Sequence, residues 1–191
     1  MKNNKLYLFC LTLTALLFID ANGQDQELKI QKLRECTAIK NQMTGAMVAE
    51  DWKSVEKYCL LHIEQCKGVV GDKQIASSYS SLASAYIDLR EYSKGLDASN
   101  AGIDLYYSDP TNHMFKARIL SLMKNKQGAL ESYNRAEKLA IYNKDSLAIE
   151  LIAAPHNVDK ELLKDTIANI QSEINMCEVV IAYCKHFKKL L

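Results

Sequence analysis

Proline and glycine are scarce in this chain: of 191 residues, two are proline and seven are glycine. Strands need turn punctuation at short intervals, and apolar runs bounded by such signals are correspondingly few, so the composition points to an all-helical protein. An excess of either charge is also missing, since 24 lysines and arginines face 23 aspartates and glutamates. No cluster of basic residues with interleaved aromatics tracks a phosphate backbone, and nucleic acid is therefore not a partner. The sequence holds no glycine-rich phosphate loop, no HExxH pair, no nucleophile elbow and no calcium loop. No catalytic residue, metal or cofactor is assigned, and the chain is read as something other than an enzyme.

Long hydrophobic runs are limited to one. Lys2 and Lys5 precede the apolar stretch Leu6 to Ile19, which is interrupted by Thr12 and Thr14 and gives way to Ala21, Asn22 and Gly23. A membrane span wants about 18 or more apolar residues, whereas a basic start, a short apolar middle and a small-x-small end make a secretory signal peptide over residues 1–23, cleaved before Gln24. Cys10 follows bulky Phe9 inside the apolar region, unlike a lipid-attachment cysteine. The expected location is the periplasm or the exterior, with no stable membrane span in the mature chain. Removing Lys2, Lys5 and Asp20 leaves 22 basic and 22 acidic residues, a neutral protein.

The rest of the chain is organised around residues 79–141. Tyr79, Leu82, Ala83, Tyr86 and Leu89 recur at helical spacing, a break follows at Arg90 and Glu91, and the stripe resumes with Tyr92, Gly95, Leu96, Ser99, Gly102, Ile103 and Leu105. Shifted by 34 residues the pattern returns as His113, Ala117, Leu120 and Met123, a polar break at 124–126, then Ala129, Leu130, Tyr133, Ala136 and Leu139. An earlier copy is offset by 40 residues, with Val55, Cys59 and His62 where Ala129, Tyr133 and Ala136 fall two units later. The extra length is expected in the glycine-containing stretch 67–73, because loops absorb insertions at small entropic cost.

This period, with small residues where paired helices approach, resembles the tetratricopeptide repeat (TPR) family. The resemblance implies a right-handed α-solenoid of about three helical hairpins, at 36–66, 76–107 and 110–141, within a repeat region 24–143. It also implies a non-catalytic scaffold that holds a protein or peptide on its concave face. Carried over residue by residue, that face comprises Thr37, Lys40, Thr44, Met47, Ser77, Ser80, Ser84, Ile87, Asp88, Thr111, Met114, Arg118 and Leu122. Thr44 and Ser84 stand where carboxylate-clamping members of the family carry asparagine, so that activity is not assigned.

Residues 144–191 form a linker and a last helix. Asp145 or Ser146 is expected to cap a short helix through Ile152, stopped by Pro155. Asn157 or Asp159 then starts a helix whose seam is Leu163, Ile167, Ile170, Ile174, Cys177, Ile181 and Cys184. Such a seam covers the end of a repeat array, or joins two copies as a homodimer. The basic end Lys185, His186, Lys188, Lys189 complements the helix dipole.

Five cysteines remain after leader removal: Cys36, Cys59, Cys66, Cys177 and Cys184. Cysteines seven apart on one helix are separated by about 10.5 Å of rise, beyond the roughly 7 Å Cα limit for a disulfide. In a hairpin turning near Glu50 and Asp51, Cys36 and Cys66 come opposite each other and can form a bridge in an oxidising compartment; the alternative is buried, reduced cysteines throughout. Cys59, His62 and Cys66 share a helical face, which makes metal binding a weaker possibility against ordinary core packing.

Overall fold

The computed structural model describes residues 3–152 and 160–191, with side chains over 25–150 and 164–191. The leader side chains and the expected caps Asn157 and Asp159 lie outside that set, as does the side chain of Leu163. Among the described residues seven helices follow in order: α1 (Asn3–Val48), α2 (Trp52–Cys66), α3 (Asp72–Asp88), α4 (Tyr92–Leu105), α5 (Pro110–Leu122), α6 (Lys126–Ile152) and α7 (Lys160–Lys188). There is no strand among the described residues, only an isolated bridge between Lys67 and Val70. Among those residues no helix is long and apolar enough to cross a membrane.

One turn is used three times. Glu50, Arg90 and Lys124 adopt left-handed φ values of 55°, 60° and 64°. In each case the next residue's N–H reaches back five residues, from Asp51 to Ala46, Glu91 to Tyr86 and Asn125 to Leu120. That is the hydrogen-bond signature of a Schellman helix end, where glycine is the usual occupant. The following helix starts at once. Asp51 Oδ1 accepts the Ser54 N–H at 3.1 Å and Asn125 Oδ1 accepts the Gly128 N–H at 3.0 Å, each satisfying a donor of the first turn.

Because a side chain in the left-handed region costs roughly 1–2 kcal/mol that glycine does not incur, Lys124→Gly is expected to raise stability by about 1 kcal/mol. Lys124 is exposed, so nothing else is lost. A thermal melt should move up by about 2–4 °C for a chain of this size; a lowered midpoint would contradict the turn geometry.

Every helix packs on its successor, and α3 also touches α5, as α5 touches α7. The helices meet through small residues. A Cβ on Gly95 would stand 3.0 Å from Ile119 Cδ1, a tight fit, and one on Gly102 would stand 2.4 Å from Asn112 Oδ1, so Gly102 is required by close approach. One core joins Met43, Ala46, Val55 and Cys59 to Leu82, Tyr86, Ala98 and Ile119. A second joins Met114, Ala117, Ala129, Tyr133 and Ala136 to Cys177, Val180 and Cys184 of α7.

Three local expectations are corrected. The offset of 40 does not come mainly from the glycine stretch: the α2–α3 connection, 67–71, is one residue longer than the α4–α5 connection, 106–109. Most of it is an additional turn of α3, which has 17 residues against 13 in α5. Asp145 and Ser146 do not start a new helix; α6 runs unbroken to Ile152, because no glycine or proline lies between Gly128 and that point. The α7 seam holds Ile170, Cys177 and Cys184 buried, but Ile167 is 39% exposed and Val180, outside the expected seam, is 1% exposed.

A disulfide joins Cys36 of α1 to Cys66 at the end of α2, with Cα atoms 5.7 Å apart. Cys59, Cys177 and Cys184 are free and buried. Burial pushes the Cys59 and Cys184 thiols up to about 12, which keeps them protonated and inert at neutral pH.

Candidate functional site

A cavity of about 400 Å³ opens where α3, the α4–α5 connection, α6 and α7 converge. Each wall is held by a specific bond. Asp109 precedes Pro110 at the first turn of α5 and accepts from the Thr111 N–H at 2.9 Å and from Asn112 Nδ2 at 2.7 Å. Asn112 is fully buried, and its Nδ2 also donates to the Ala76 carbonyl at 3.0 Å, which ties α5 to α3. Asn143 Nδ2 donates to the Ser108 carbonyl at 3.0 Å and ties α6 to the connection. Lys73 closes the circuit with a 2.7 Å ion pair to Glu173 of α7.

Lys73 lies on the turn that makes α3 longer than α5, so the length difference between units builds one rim of the cavity. Tyr106, Pro110, Tyr142, Leu147 and Met176 provide apolar surface. Ser77, Ser108, Thr111 and Ser146 add hydroxyls, and Cys177 adds a thiol that burial, above all, pushes above its ordinary value. Among the described residues the charged groups on the lining are Lys73 against Asp109, Glu150 and Glu173.

The residues expected on the concave face are dispersed. Ser77 and Thr111 alone among them line the cavity. Thr37, Lys40 and Thr44 are exposed on α1, and both threonine hydroxyls donate back to helix carbonyls four residues earlier, at Leu33 and Lys40. Ser80 is buried and donates to the Ser77 carbonyl; Ser84 is half-buried and Asp88 exposed. Met114 is 8% exposed and packs in the core beneath α7, while half-buried Arg118 bears on Tyr183. Lys73, Tyr106, Tyr142, Glu150 and Glu173 were not anticipated. Their helices meet only in three dimensions, although Tyr142, Ser146 and Glu150 share a helical stripe once α6 is continuous.

Cys59, His62 and Cys66 do not gather round one point. Cys66 is in the disulfide, Cys59 Sγ lies 3.3 Å from Met43 Sδ, and His62 Nδ1 shares a 2.9 Å hydrogen bond with Ser78 Oγ. The His62–Ser78 pair is sealed at 2% and 1% exposure, a satisfied core pair and not a reactive one.

Burial holds His62 below its usual range, helped by Lys40. Burial does the same to His113, whose Nε2–H donates to the Tyr107 carbonyl; the nearby Arg135 and Lys116 add to the lowering, while that hydrogen bond and Asp109 partly oppose it. Both imidazoles are thus neutral when folded, and the unfolded chain takes up protons first as pH falls below about 6.5. Their contribution is complete above that pH and is lost progressively below it. The melting midpoint should therefore fall between pH 7.5 and 5.5, by less in His62→Asn than in wild type. An equal fall in both would remove His62 from the account.

Scanned against protein-family models, the chain matches none, and no curated protein is significantly similar to it. Fold and cavity geometry therefore carry the functional reading.

Proposed function

We propose that this protein is an exported, non-catalytic scaffold of the TPR type that holds a protein or peptide segment in the cavity between α3, α5, α6 and α7. In this reading the hairpins form a right-handed solenoid and α7 caps it within one chain. Support for the array comes from the thrice-used turn, whose left-handed residues Glu50, Arg90 and Lys124 repeat the 40- and 34-residue offsets of the sequence pattern. Support for export comes from the Cys36–Cys66 disulfide, which suits an oxidising compartment.

The observation that carries the binding role is the cavity itself. Its mixed lining of aromatic, aliphatic and carboxylate groups, fixed by bonds from four segments, is what a recognition pocket requires. A photo-crosslinking residue at Tyr142, on the rim and 71% exposed, is expected to trap a discrete partner in intact cells; the same residue at Val48, 83% exposed at the end of α1, should not. Equal trapping from both positions, or none from either, would contradict the proposal.

A second reading has one observation behind it. Ile167, Met176 and Val179 remain exposed on α7 at 39%, 56% and 61%, which is where a homodimer would form. Light scattering across a concentration series decides: a constant monomer mass removes this alternative.

A further inference from the structure

The cavity's charge and shape specify more than a generic peptide site. Among the described residues its lining carries three carboxylates, at Asp109, Glu150 and Glu173, against the single ammonium of Lys73. Asp109 is occupied by donors at the start of α5. Glu173 holds Lys73 at 2.7 Å, and both side chains are about half exposed, so this pair can open at little cost. Glu150 makes no ion pair among the described residues. Lys144, the next cation near this end of α6, is turned to Glu178 at 3.6 Å.

The carboxylates sit over apolar surface. Tyr106 and Tyr142 present aromatic rings, and Leu147 and Met176 present flexible aliphatic chains. A long basic side chain matches this combination, because its methylene stem packs on apolar surface while its head group reaches carboxylates and ring faces. An acidic or C-terminal group would meet repulsion instead. Lys73 already makes the interaction that an incoming cation would make, since its ammonium lies on Glu173 at the rim.

We infer that the pocket recognises an arginine or lysine side chain of an extended peptide, received between Glu150 and Glu173 over Tyr106 and Tyr142, with Lys73 as the built-in competitor for Glu173. This rests on the scaffold reading above and adds the chemistry of its ligand. Competition gives the inference a sign that a structural role lacks: removing the Lys73 charge should strengthen cation binding, and removing the Glu150 charge should weaken it.

The test is a titration of the mature, disulfide-bonded protein, followed by the methyl signals of Met176 on the lining and Met114 in the core. The probes are the blocked pentapeptide acetyl-Gly-Gly-Arg-Gly-Gly-amide and its citrulline counterpart, which is nearly isosteric but neutral. The arginine peptide is expected to shift Met176 saturably and leave Met114 in place, with the citrulline peptide at least about fivefold weaker, since charge complementarity carries the preference. Glu150→Gln should weaken the arginine peptide by about threefold or more, and Lys73→Met should tighten it by a similar factor. Both residues are exposed, so both variants should fold.

Equal binding of the two peptides, or the same direction of change in both variants, would overturn the inference. So would N-acetylarginine methylamide binding as tightly as the pentapeptide, which would make the pocket a small-cation site. Crosslinking from Tyr142 together with equal arginine and citrulline titrations would remove the charge assignment and leave the scaffold reading intact. Arginine preference without any crosslinked partner would do the converse.

Discussion

Val180→Asp is expected to lose several kcal/mol of stability, enough to leave much of the protein unfolded near body temperature. Val180 is 1% exposed and packs with Met114, Ala117, Tyr133, Cys177 and Cys184 where α7 covers α5 and α6. A carboxylate there has no cation within the cluster, and an uncompensated buried charge costs a large share of the roughly 5–15 kcal/mol that holds a domain together. The neighbouring Val179 is 61% exposed, so Val179→Asp should stay within about 0.5 kcal/mol of wild type. Chemical denaturation followed by helical signal separates the two. Equal losses would mean that α7 does not present this face to the core.

Opening the Cys36–Cys66 disulfide is the second large effect. The bridge closes a loop with a sequence separation of 30, for which the chain-entropy account gives about 3–4 kcal/mol. The loss should be local at first, because among the described residues α2 is the only helix whose backbone lies against α1. Amide exchange in residues 36–47 should accelerate on reduction, or in Cys36→Ala with Cys66→Ala, while α5 to α7 keep their protection. Uniform acceleration throughout would contradict this independence of α1.

The helix pairs were legible because their signals are local. Periodicity breaks at Glu50, Arg90 and Lys124, and those residues form the three left-handed turns. Local signals also misled. Gly68 and Gly71 drew the extra residues into the loop, whereas most of the added length extends α3 by a turn; Asp145 and Ser146 read as caps, yet a capping residue inside an uninterrupted helix starts nothing. The α7 seam was read in steps of four and three, and it passed over Val180, which is 1% exposed and packs in the same cluster as Cys177 and Cys184.

The cavity was the least legible part. Ser77 and Thr111 were reached through the repeat overlay, but Lys73 and Glu173 are 100 residues apart and meet only because α7 returns along α5 and α6. No spacing rule links them. Met114, by contrast, was placed on an open face by the same overlay and lies under α7. By packing on α5 and α6, α7 both buries Met114 and supplies one wall of the cavity beside it.

Hydrogen exchange with and without the segment trapped from Tyr142 tests the central claim most directly. Protection is predicted in the first turn of α3, in 106–111, in 142–150 and in 173–177, with no change along Thr37 to Thr44 of α1. Protection along Thr37 to Thr44 with the cavity walls unchanged would contradict it.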